Sequence, residues 1–114
     1  IFRNVEPGTF FALITTTDGR WALVRRNSGK TTDFHVEDGA AQALYGSPGR
    51  SNTIEVVTLG NFGQLFVNGQ VIATLNLSTI GDLGDVVVFA GYYRDHQQTG
   101  AITAYRDFVV WSFD

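Results

Sequence analysis

The sequence predicts an all-β protein: an antiparallel β-sandwich of about eight strands. Three observations carry that expectation. The apolar residues recur with a period of two, or in short strand-length runs, and not at the 3.6 spacing of a helix. Those runs are rich in Phe, Val, Ile, Thr and Tyr, the side chains that fit a pleated surface. Between them stand Asp18-Gly19, Asn68-Gly69 and similar pairs, which reverse a chain within a few residues.

Taken in order, residues 10–16 (FFALITT) form a strand, Asp18-Gly19 turns the chain, and residues 21–26 (WALVRR) return along it. The stretch NSGK at 27–30 makes the next turn, ahead of a short strand over about 33–36. Residues 39–46 (GAAQALYG) hold the one mild helix preference, but the stretch is short and runs into Gly-Ser-Pro-Gly. It reads as a loop with one helical turn at most. Strands resume over 53–59, 64–68, 70–75, 85–92 and 101–113. A type I′ hairpin needs positive φ at both central positions, which Asn68-Gly69 tolerates better than almost any other pair. With that turn, Val67 should face Gln70, Phe66 should face Val71 and Leu65 should face Ile72. Alternation makes Ile54 and Val56, Val86 and Val88, and Phe108 and Val110 the expected core rows. It turns Glu55, Gln64 and Asp107 to solvent or a concave surface, and Phe66 and Phe89 are taken as internal rings.

The bulk composition narrows the function. A chain of 114 residues is one domain, residues 1–114, with enough length to bury a core. No apolar run approaches the roughly 18 residues of a membrane-spanning helix, so no transmembrane segment is expected. Eight basic residues against eleven acidic ones give a formal charge of −3, with Arg25-Arg26 the one adjacent basic pair. That balance argues against nucleic-acid binding, which rests on a dense positive surface. The absence of cysteine excludes disulfides and thiolate chemistry. A chain that opens on Ile1 and contains no methionine is expected to be a processed product or part of a longer polypeptide.

Five motifs occur in sequence: Phe2-Arg3 followed by Phe10-Phe11-Ala12-Leu13; Asp18-Gly19-Arg20-Trp21-Ala22-Leu23-Val24-Arg25-Arg26; Asn52-Thr53-Ile54-Glu55-Val56; Leu65-Phe66-Val67-Asn68-Gly69; and Tyr105-Arg106-Asp107-Phe108-Val109-Val110. In this order they resemble the concanavalin A-like lectin/glucanase jelly roll, and within it the bacterial laminin-G-like and 3-keto-disaccharide hydrolase domains. The resemblance spans nearly the whole chain. It implies a jelly roll lacking its first strands, with the closing strand short of its usual neighbour or completed by another chain. It also implies export, to an extracellular or periplasmic place at the cell surface.

The glucanases of that superfamily set paired carboxylates on alternate positions of one strand, about 5 Å apart, as acid and nucleophile. Here Glu6, Glu37 and Glu55 are far apart in the chain, so retaining glycosidase chemistry is not expected. The densest polar and aromatic segment is Tyr92, Tyr93, Arg94, Asp95 and His96, followed by two glutamines. Aromatic faces beside planar polar groups suit a sugar, with its apolar C–H faces and rim of hydroxyls. Those five residues, with Tyr45 as a further platform, are the expected contacts; the alternative is a solvated hairpin loop. His35 and His96 lack zinc-ligand spacing and read as surface residues. Asp82 and Asp85, three apart in a turn, are the candidate calcium ligands, weighed against ordinary turn chemistry, which also accounts for Asp18-Gly19 and Glu37-Asp38-Gly39. Trp21 and Trp111 read as core or sheet packing, or as a partner contact if Trp111 points outward.

The leading expectation is therefore a non-catalytic module that binds carbohydrate or a neighbouring protein. A structural accessory subunit of a larger assembly is the second. A hydrolase of 3-keto-disaccharides is the third, with Asp95, His96, Glu55 and Asp107 as its candidate acid and base.

Overall fold

The computed structural model describes residues 1–6, 8–27, 34–47, 49–80, 86–87 and 103–111. Seven strands are formed there: β1 (Phe2–Glu6), β2 (Thr9–Thr15), β3 (Arg20–Arg26), β4 (Phe34–Ala40), β5 (Ile54–Leu59), β6 (Phe62–Val67) and β7 (Gln70–Asn76). They make two antiparallel sheets, β1-β2-β3-β4 and β5-β6-β7, each with its strands side by side in chain order. Among the described residues there is no helix, and so none long and apolar enough to cross a membrane.

The sheets close on one core. Phe11, Trp21 and Leu23 from the first sheet meet Leu65, Val67 and Leu75 from the second, with Phe2, Ala41, Leu77 and Ile80 completing the cluster. Phe2 and Phe11 face each other across β1 and β2, their rings stacked at 5.6 Å. The continuous run Phe10-Phe11-Ala12-Leu13-Ile14 reflects a sheet that is apolar on both sides. Phe11 and Leu13 pack inward, while Ala12 pairs with Val24 and Ile14 with Ala22 on the opposite face.

Two of the hairpin turns follow directly from their residues. Between β2 and β3 the Gly19 amide donates to Thr16 O at 3.1 Å and the Thr16 amide to Arg20 O at 3.0 Å, with Gly19 at φ +82°. This is a three-residue loop ending on a left-handed glycine. Between β6 and β7, Asn68 (φ 51°) and Gly69 (φ 81°) both take the positive φ of a type I′ turn.

Several sequence expectations are corrected. Val67 does pair with Gln70 and Phe66 with Val71, but an irregularity between Leu65 and Phe66 sets Leu65 opposite Ala73, not Ile72. A bulge adds one residue to a strand and shifts everything beyond it. Phe66 is half-buried and not internal; Leu65 and Val67, on either side of it, are the fully buried pair. Phe89 and Val88 lie outside the described residues. Val56 packs on the core margin, but Ile54 (39%), Val86 (40%), Phe108 (53%) and Val110 (61%) are exposed, so those rows are not core. Residues 103–111, expected as a strand, form none. β4 reaches Ala40, and residues 42–43 form a turn closed by the Leu44 amide on Ala41 O at 3.0 Å, so no helical turn follows. Alternation tells which residues share a face; the presence of a neighbouring strand decides whether that face is covered.

Candidate functional site

The strand directions bring three connections to one end of the sandwich: the β2–β3 turn, the β4–β5 loop over 41–53 and the β6–β7 turn. Short-range bonds weld them together. The Ala41 amide donates to Gly19 O at 2.7 Å. A Cβ placed on Gly46 would lie 2.4 Å from Thr17 O, so the loop rests directly on the backbone of the β2–β3 turn.

Two asparagines shape the loop. Asn52 accepts the Tyr45 amide on Oδ1 at 2.7 Å and donates from Nδ2 to Tyr45 O at 2.9 Å, bracketing that residue's backbone. Asn68 accepts the Thr53 amide on Oδ1 at 2.8 Å and donates from Nδ2 to Ala43 O at 2.7 Å and to Asn52 Oδ1 at 2.9 Å. The Asn68 amide itself donates to Thr53 O at 2.8 Å. Asn68 is therefore both the turn residue that the hairpin demands and the latch that holds the adjoining loop. Side-chain amides suit this task because they present a donor and an acceptor on one rigid plane.

Tyr45, one of the expected platforms, stands on this latched loop. The residue is 42% exposed, and the Arg50 guanidinium stacks over its ring with Cζ 3.6 Å from the centroid. Arg106 reaches the same loop, with Nη2 3.4 Å from Ser51 Oγ. Beside the loop, Thr16, Asp18, Arg20, Trp21, Ala22 and Asp38 line an open concavity of about 200 Å³. The Thr16 hydroxyl donates to the Asp18 carboxylate. Arg20 Nη2 lies 3.8 Å from Asp38 Oδ1, with both side chains about half-exposed. An ion pair this long and this wet contributes little to stability.

The other expected contacts, Tyr92, Tyr93, Arg94, Asp95 and His96, and the candidate calcium ligands Asp82 and Asp85, lie outside the described residues. Among the described residues no group of three or more His, Asp or Glu side chains is placed to hold a metal ion. Glu37-Asp38-Gly39 is strand and not turn. Asp38 joins the concavity, and Glu37 Oε1 accepts the Asn76 amide at 2.9 Å, tying β4 to β7 across the two sheets. Trp21 is core, 6% exposed, whereas Trp111 is 71% exposed.

Arg50, Asn52, Arg20 and Arg106 are not among the contacts expected from sequence, although the last three stand in its motifs. Arg50 and Asn52 follow the Gly-Ser-Pro-Gly stretch in the manner of ordinary loop residues, and Arg20 and Asp38 meet only because β3 and β4 pair. A scan against protein-family models, a search of curated proteins and a search of solved structures find no match for this chain.

Proposed function

We propose that this chain is a non-catalytic carbohydrate-binding module of the concanavalin A-like jelly-roll type, belonging to an exported bacterial protein, and that the loop end receives the sugar. The observation that carries the reading is the pairing of an aromatic platform with a mixed polar concavity. Tyr45 with its stacked Arg50 offers a flat surface for the C–H face of a sugar ring. Thr16, Asp18, Arg20 and Asp38 offer acceptors and donors of both kinds around a concavity that Trp21 and Ala22 also line. Hydroxyl groups both donate and accept, so a polyol matches such a rim better than an ion of either sign does. Loops held on a rigid scaffold are where binding residues are usually found.

Glycan-array screening followed by titration of the best hit tests the reading. Tyr45→Ala and Asp38→Ala should each weaken binding by about tenfold or more, with the fold intact by circular dichroism. An array without hits would replace it by the accessory-subunit reading, which is supported by the exposed run Phe108, Val109, Val110 and Trp111. Such a run fits a protein partner better than it fits water.

A further inference from the structure

We propose that Asn68 is a site of spontaneous deamidation and that its conversion releases the 41–53 loop from the β6–β7 turn. The proposal goes beyond the carbohydrate reading and does not depend on it. Asn68 is followed by Gly69, which has no side chain to obstruct its nitrogen, and nothing lies within 4 Å of the place a Cβ would occupy there. The deprotonated Gly69 nitrogen attacks Cγ of Asn68. A new C–N bond forms, the Cγ–Nδ2 bond breaks, and Nδ2 leaves as ammonia with the proton given up by Gly69. The resulting five-membered succinimide takes up water at either carbonyl and opens to aspartate or isoaspartate at position 68. Water is the only co-reactant, and no electrons are exchanged.

The folded turn restrains this reaction and is also what the reaction destroys. Nδ2 is engaged by Ala43 O at 2.7 Å and Asn52 Oδ1 at 2.9 Å, and Oδ1 by the Thr53 amide, so Cγ meets the Gly69 nitrogen only when those bonds open. Once the amide becomes a carboxylate, the group that donated to Ala43 O and Asn52 Oδ1 is an acceptor. Two oxygens then face an anionic oxygen where two hydrogen bonds had been. The Thr53 amide keeps an acceptor, but Asn52 loses its neighbour, and Asn52 is what brackets Tyr45. Isoaspartate in addition lengthens the backbone, which a two-residue type I′ turn does not accommodate. The chain also becomes one charge more negative than its formal −3.

The full chain, incubated at mildly alkaline pH, is resolved by ion exchange, and the acidic product is mapped by peptide mass and isoaspartate content. Asn68 should convert before the other asparagines. Asn52→Ala, which removes one of the restraints on Nδ2, should speed that conversion by about five- to tenfold. Hydrogen exchange on the converted chain, and on an Asn68→Asp variant, should show the Tyr45 amide losing protection while the Thr53 amide keeps most of its own. An intact Asn68 in a chain whose other asparagines have converted would overturn the proposal. So would a converted chain whose Tyr45 amide exchanges as slowly as before.

Discussion

Arg3 carries a full positive charge to a place only 4% exposed. Its guanidinium donates to Leu77 O at 3.2 Å, Ile80 O at 3.0 Å and Gly60 O at 2.6 Å, so β1 of one sheet grips the ends of β5 and β7 in the other. Neighbouring strand residues should point to opposite faces, yet Phe2 and Arg3 are both buried. The left-handed backbone at Arg3 (φ 51°) and the register shift along β1 reconcile the two. Replacement by Met would leave three carbonyls unsatisfied and should cost about 3 to 5 kcal/mol in chemical denaturation. Arg3→Lys should recover only part of that loss, because an ammonium cannot match the planar fork. The contrast between Leu65 and Phe66 is a second test at this scale. Leu65 is fully buried and Phe66 is not, so Leu65→Ala should cost about 2 to 5 kcal/mol and exceed Phe66→Ala, although the phenyl ring is the larger group. Phe-Arg near a strand's end was visible in the sequence as a motif; its role as a clamp was not, since the carbonyls it reaches lie 57 to 77 positions away.

The elements that build the loop end owe their closeness to two glycines. Gly39 lies under the Trp21 indole, where a Cβ would approach Nε1 to 2.9 Å, and Gly46 lies against Thr17 O. Side chains can swing aside more cheaply than backbone can move. Gly46→Ala should therefore destabilise by about 1 to 3 kcal/mol and weaken any ligand held by Tyr45, whereas Gly39→Ala should chiefly perturb the Trp21 fluorescence. The β2–β3 and β6–β7 turns were legible because Asp-Gly and Asn-Gly dictate local dihedrals. The β6–β7 bulge was not, because nothing in Gln-Val-Ile-Ala distinguishes a regular ladder from one with an extra residue. Nor could the 41–53 loop be read from its own sequence, since its shape depends on Asn68, supplied by a later hairpin.

At the scale of the molecule the two tryptophans separate what is enclosed from what is presented. Trp21 is 6% exposed and Trp111 71%, so acrylamide should quench the emission of Trp111 and leave that of a Trp111→Phe variant largely protected. A chain whose Trp111 resists quenching in solution would have found a cover for Tyr105, Phe108, Val109 and Val110, and sedimentation would show whether a second copy supplies it. The period of two, the β-branched and aromatic runs and the Gly-containing turns determined by themselves that this protein is a set of antiparallel hairpins, because each acts within a few residues of the chain. Which faces of those hairpins meet, which asparagine latches which loop, and where an arginine can be buried were decided only in three dimensions. Those outcomes rest on partners dozens of residues apart, whose hydrogen bonds and packing exist only once the two sheets have closed.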